Sequence, residues 1–136
     1  MMKRISLFLF LFALIGLGSA FAPAKDHETH LILTFENSEG EQYQRDLSFS
    51  KPEDWKSTLI NAEFIKTGVK LDFEFTCIYA PFEQDAEVVY SSSDESLMRV
   101  LNRYLPKLKQ GDRLIFDNLY DKSKKNYSSP IILWVK

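Results

Sequence analysis

The chain has 136 residues, 45% of them hydrophobic, with 17 Lys and Arg against 19 Asp and Glu and a formal net charge of −2. That balance lacks the basic footprint of a nucleic-acid-binding protein. The single cysteine, Cys77, excludes an intramolecular disulfide, so a core drawn from eleven Phe, six Tyr and two Trp has to hold the fold.

The first two dozen residues read as a targeting segment. Lys3 and Arg4 precede an uncharged apolar run, Ile5 to Leu17, and small residues follow from Gly18 to Ala24. Basic, then apolar, then small is the order of a cleavable secretory signal. The run is shorter than the ~20 residues that a membrane span requires. The expected signal is 1–20, with alternative cuts out to residue 24. Residues 25–136 then form a single globular domain without a membrane span. The expected location is periplasmic, with secretion as the alternative. Charge is unevenly spread: Phe21 to Met98 carries six basic and sixteen acidic residues, Arg99 to Lys136 nine basic and three acidic. Either the two halves pack together and neutralise each other, or the surface is bipolar and meets a charged partner.

In "HLILTF", Leu31, Leu33 and Phe35 share one face, as in a strand. Asn37 and Gly40 supply turn chemistry, and the alternation from Tyr43 to Phe49 returns as the second strand of a hairpin. Ser50 and Glu53 make a capping-box pattern around Pro52. It predicts a short helix from Pro52 to about Ile60, with Trp55, Leu59 and Ile60 as its apolar side. From Val69 to Tyr79 the odd positions read Val69, Leu71, Phe73, Phe75, Cys77 and Tyr79, so one long half-buried strand is expected there. Pro81 ends it, and Glu87 to Tyr90 returns antiparallel.

A helix follows, capped by Ser93 or Asp94. Leu97, Leu101, Tyr104, Leu105 and Leu108 form its apolar stripe, and Pro106 ends it near Tyr104. After a Gly111-Asp112 turn, "RLIFDNLY" reads as a strand with Leu114, Phe116 and Tyr120 facing one way and Arg113, Ile115 and Asp117 the other. A polar loop from Asp121 to Ser129 leads to a last strand, "PIILWVK", with Pro130 at its start. The expected fold is α+β: a small, mainly antiparallel sheet or sandwich with one substantial helix packed on it.

Few residues offer catalytic chemistry. There is no nucleophile elbow, phosphate loop or paired catalytic carboxylate, so the chain reads as non-enzymatic and without a cofactor. Asp112, Asp117 and Asp121 lie close in sequence but occupy a turn, a strand and a loop, which makes them solvated punctuation rather than a converging metal site. His27-Glu28-Thr29-His30 is one residue short of H-E-x-x-H. His27 and His30 are therefore weak metal candidates. One variant is sharper: a cut after Ala24 would leave Lys25-Asp26-His27 as a terminus able to wrap Cu(II) or Ni(II). Cys77 on an apolar strand face reads as a buried, inert thiol. Lys122, Lys124, Lys125 and Tyr127 make a basic loop tip, suited to an acidic partner.

Four segments carry a family resemblance: "VKLDFEFTCIYAPF" (Val69 to Phe82), the helix end "LPKLKQGD" (Leu105 to Asp112), "RLIFDNLY" and "PIILWV". Together they resemble the C-terminal periplasmic domain of the GldM/PorM proteins of gliding motility and type IX secretion, over roughly residues 50–136. That family's loop between the last two strands is rich in glycine, whereas "DKSKKNYSS" has none, and its proteins are longer. The resemblance implies a sandwich-like periplasmic module that binds an envelope protein. Two alternatives stay open. One is a small-ligand-binding protein that uses Phe73, Phe75, Phe116 and Trp134 as an aromatic pocket. The other is a metal-handling protein based on His27 and His30.

Overall fold

The computed structural model describes residues 28–92 and 94–136. The expected signal segment, His27 and the Ser93 cap lie outside the described residues. Among those described, nine strands form two antiparallel sheets with one α-helix beside them, a small α+β fold as the sequence predicts. The first sheet holds β1 (His30–Glu36), β2 (Gln42–Asp46), β3 (Thr58–Lys66) and β4 (Val69–Leu71) in the order β2-β1-β3-β4. The second holds β5 (Phe73–Ala80), β6 (Glu87–Ser91), β7 (Arg113–Asp121), β8 (Asn126–Ser128) and β9 (Ile131–Trp134). Its order starts β6-β5-β7, and both β8 and β9 pair with β7. Leu119 lies opposite Ser128 and Phe116 opposite Ile131 in one unbroken register. Strands β8 and β9 thus act as one edge strand, interrupted at Ser129-Pro130 where proline has no donor to give.

The inner faces meet through aromatic rings. Phe64 on β3 has ring centroids 5.3, 5.5 and 6.2 Å from those of Phe73, Phe75 and Phe116, within the range of favourable edge-to-face contact. Leu47, in the 3-10 turn Leu47–Phe49, is fully buried against the flank formed by β1 and β9. The helix α1 (Asp94–Tyr104) packs near β3 and buries Leu97, Leu101 and Tyr104. Its Tyr104 ring lies 5.0 Å from Tyr79. At its end the chain tightens into a 3-10 turn, Leu105–Lys107, that contains Pro106, as expected where an α-helical donor is missing.

Five expectations from the sequence are corrected. The second hairpin strand does not run to Phe49: β2 ends at Asp46 and Leu47–Phe49 is a 3-10 turn that leaves Phe49 exposed. There is no helix from Pro52 to Ile60; a single 3-10 turn, Asp54–Lys56, is followed by β3. Ser50, meant to cap that helix, has other partners, and Glu53 makes no side-chain cap bond. Ser50 donates to Leu47 O at 2.9 Å and accepts from Trp55 Nε1 at 3.0 Å, while Asp54 accepts from Lys51 N. The long strand from Val69 divides at Asp72: β4 completes the first sheet and β5 starts the second. The loop from Asp121 to Ser129 contains a strand, β8. Finally, Tyr120 does not share a face with Leu114 and Phe116, because β7 changes phase between them.

That change of phase is a β-bulge. Thr76 on β5 pairs with Asp117 and Glu74 with Tyr120, so Phe75 alone opposes both Asn118 and Leu119. Asn118 takes φ of 52°, the left-handed region that asparagine tolerates better than other side-chain-bearing residues. Beyond it Leu119 turns into the core and Tyr120 turns out.

Candidate functional site

The residues singled out from the sequence do not converge. His30 Nδ1 lies 2.6 Å from Asp46 Oδ2, and Asp46 Oδ1 also accepts from Ser48 N. That carboxylate closes a turn and fixes the ring. Among the described residues no three His, Cys, Asp or Glu side chains gather in a metal-holding group. Of the proposed aromatic pocket, Phe73, Phe75 and Phe116 are packed into the core, whereas Trp134 is 59% exposed. They do not line a common cavity. Cys77 is buried, and loss of solvation pushes its thiol up to about 12.

The aspartates are structural, but two of them are buried rather than solvated. Asp112 accepts from Phe82 N and Lys109 N, each at 2.9 Å, and so joins the turn after β5 to the start of β7. Beside it, Gly111 at φ of 92° leaves room for the Phe82 ring, which an added Cβ would meet at 3.0 Å. Asp121 accepts from the Ser123 hydroxyl at 2.8 Å, Ser123 N at 2.9 Å and Lys124 N at 3.2 Å. These bonds hold its carboxyl below the usual range, the Ser123 hydroxyl first, against the opposing effect of burial. Asp121 thereby shapes the β7–β8 turn that carries Lys122, Lys124 and Lys125. Lys122 Nζ is 3.5 Å from Glu74, and Lys125 adopts φ of 55° at the turn's end.

The outer face of the second sheet gathers residues that the sequence did not single out. Opposed residues of an antiparallel pair share a face. Ile78 opposes both Val88 and Ile115, and Ile115 opposes Ile132. Four aliphatic side chains therefore form one row across β6, β5, β7 and β9, on the side away from the core. The end members, Val88 and Ile132, are exposed. Trp134 stands beside the row, opposite Arg113.

At the other end of this face the bulge builds a cleft of about 590 Å³. Thr76 opposes Tyr90, and Glu74 opposes Tyr120, which in turn opposes Tyr127. Tyr120 and Tyr127 are 5.0 Å apart between ring centroids. Tyr90 and Tyr127 are 80% and 68% exposed. Thr76 faces outward yet is only 4% exposed; it forms the floor, and its hydroxyl accepts from Asn118 Nδ2 at 3.4 Å. Of the loop-tip candidates, only Tyr127 lines this cleft.

One signal for this face is present in the sequence. "FTCIYA", "EVVY", "RLIF" and "IILW" each carry apolar residues at adjacent positions, so each strand is apolar on both faces. In a two-sheet fold only one of those faces meets the core. No family model, curated protein or solved structure matches the chain. Among the described residues no helix is long and apolar enough to cross a membrane.

Proposed function

We propose that this chain is an exported, non-enzymatic protein-interaction module that meets an envelope protein through the outer face of its second sheet. The observation that carries this reading is the apolar row Val88, Ile78, Ile115 and Ile132, extended by Trp134, on a face that no described element covers. Contiguous exposed apolar surface of this kind marks interaction sites in folded proteins. Aromatic anchors such as Trp134 commonly dominate the energy of such contacts. Lys124 and Lys125 lie in the β7–β8 turn, where they add charge that steers an acidic partner. The exported destination rests on the amino-terminal order of basic, apolar and small residues. The resemblance to the GldM/PorM C-terminal domain supports the same reading.

Capture from the native envelope tests this function. Ile132→Asp places a charge in the row at an exposed position and leaves the core intact. Wild-type protein recovers a discrete partner, and the variant, equally stable by urea unfolding, loses it. Equal recovery by both proteins contradicts the proposal.

A further inference from the structure

We infer that the tyrosine cleft is a separate binding site, and that its ligand is a neutral carbohydrate. This goes beyond the protein-contact reading, since the cleft and the apolar row occupy different parts of the face.

Three observations support it. First, the cleft is built by a strained feature. Asn118 holds a left-handed backbone within a strand, and its bulge moves Tyr120 from the core phase to the outer face. Bulges re-aim side chains beside binding sites, and residues in sparsely populated conformations cluster at functional positions. Second, the walls are phenol rings. Tyr90 stands on one side; Tyr120 and the mostly exposed Tyr127 stand on the other. A tyrosine presents a flat apolar ring with a polar rim. A sugar ring has the matching duality, with an apolar C–H face and a fringe of hydroxyls. Third, the floor between the rings is polar. Glu74 and Asn118 offer hydrogen-bonding groups there, and a polyol can satisfy both donors and acceptors.

Charge narrows the ligand class. Glu74 is already paired with Lys122 at 3.5 Å, so the cleft has no unopposed charge that would select an anion or a cation. An extended peptide is a poorer fit. It binds by main-chain pairing along an exposed sheet edge, with pockets for alternate side chains, whereas this cleft lies on the sheet face over Glu74, Thr76 and Asn118. The volume of about 590 Å³ lies within the range of small-molecule sites and suits a short oligosaccharide rather than a single ion.

The test titrates the purified protein with neutral oligosaccharides of the cello-, malto-, manno-, xylo- and chito- series, followed by calorimetry and tyrosine fluorescence. The same runs include uncharged extended peptides. The inference predicts saturable binding of at least one sugar series. Tyr90→Ala and Tyr127→Ala each weaken it about tenfold. Ile132→Asp, which abolishes partner capture under the proposed function, leaves sugar binding unchanged. Both tyrosines are exposed, so the variants fold as wild type by circular dichroism. Absence of saturable sugar binding up to millimolar concentration overturns the inference. So does sugar binding that survives loss of both tyrosines, or peptide binding in the cleft in place of sugar.

Discussion

Asn118 determines which way a tyrosine points. Its backbone at φ of 52° costs a β-branched residue roughly 1–2 kcal/mol, and glycine none of that. Asn118→Val should therefore lower stability by about that amount, and Asn118→Gly should stay near wild type. Urea unfolding of the two variants measures the difference. Equal stabilities would mean that the bulge does not need a left-handed residue. Asp121 acts through hydrogen bonds of a different kind. Its carboxyl is held low by the Ser123 hydroxyl and the amides of Ser123 and Lys124. A depressed carboxyl contributes stability above its unfolded value near pH 4 and loses it as pH falls through the folded value. Asp121→Asn removes that dependence and keeps an acceptor. The wild-type urea midpoint should fall more steeply than the variant's as pH drops below about 4; parallel profiles would contradict this role.

At the scale of elements, legibility followed the regularity of the pattern. The helix α1 was readable because its stripe is periodic and Pro106 sets its end, and Leu97, Leu101, Tyr104, Leu105 and Leu108 are all buried. The strand β3 was not readable. Its register shifts between Thr34 and Phe35, with Ile60 as the extra residue, so its two-residue period is broken at the start, next to a misleading helix cap. The division at Asp72 was hidden for the opposite reason: alternation continues straight through it, and only pairing assigns Val69–Leu71 to one sheet and Phe73–Ala80 to the other. The phase change at Asn118 has no periodic signature at all. Leu47 helps close the sandwich flank beside β1 and β9. Leu47 is 0% exposed, and Leu47→Ala should cost about 2–5 kcal/mol, the range for buried leucines. A loss below about 1 kcal/mol in urea unfolding would show that the flank collapses to fill the space.

For the whole molecule, part of the uneven charge of the sequence is paired internally. The acidic part meets the basic part in the ion pairs Glu74–Lys122, Glu87–Arg103 and Glu95–Arg99, at 3.5 to 4.0 Å. Such exposed pairs contribute little stability, and they pair three of the nine basic residues after Met98 with acidic residues. What distinguishes the surface is the second sheet, apolar on both faces. Its inner face packs against Phe64 and the rest of the core; its outer face carries the aliphatic row at one end and the tyrosine cleft at the other. The candidate site was therefore legible only as doubly apolar strands. Which residues gather on one face depends on register and on the bulge. A partner on the outer sheet face is the central claim, and site-specific photocrosslinking in the native envelope tests it most directly. Crosslinkers at Val88 and Ile132 should give a discrete adduct, and one at Thr34, on the outer face of the first sheet, should give none. No adduct from Val88 and Ile132, or an equal yield from Thr34, would contradict it.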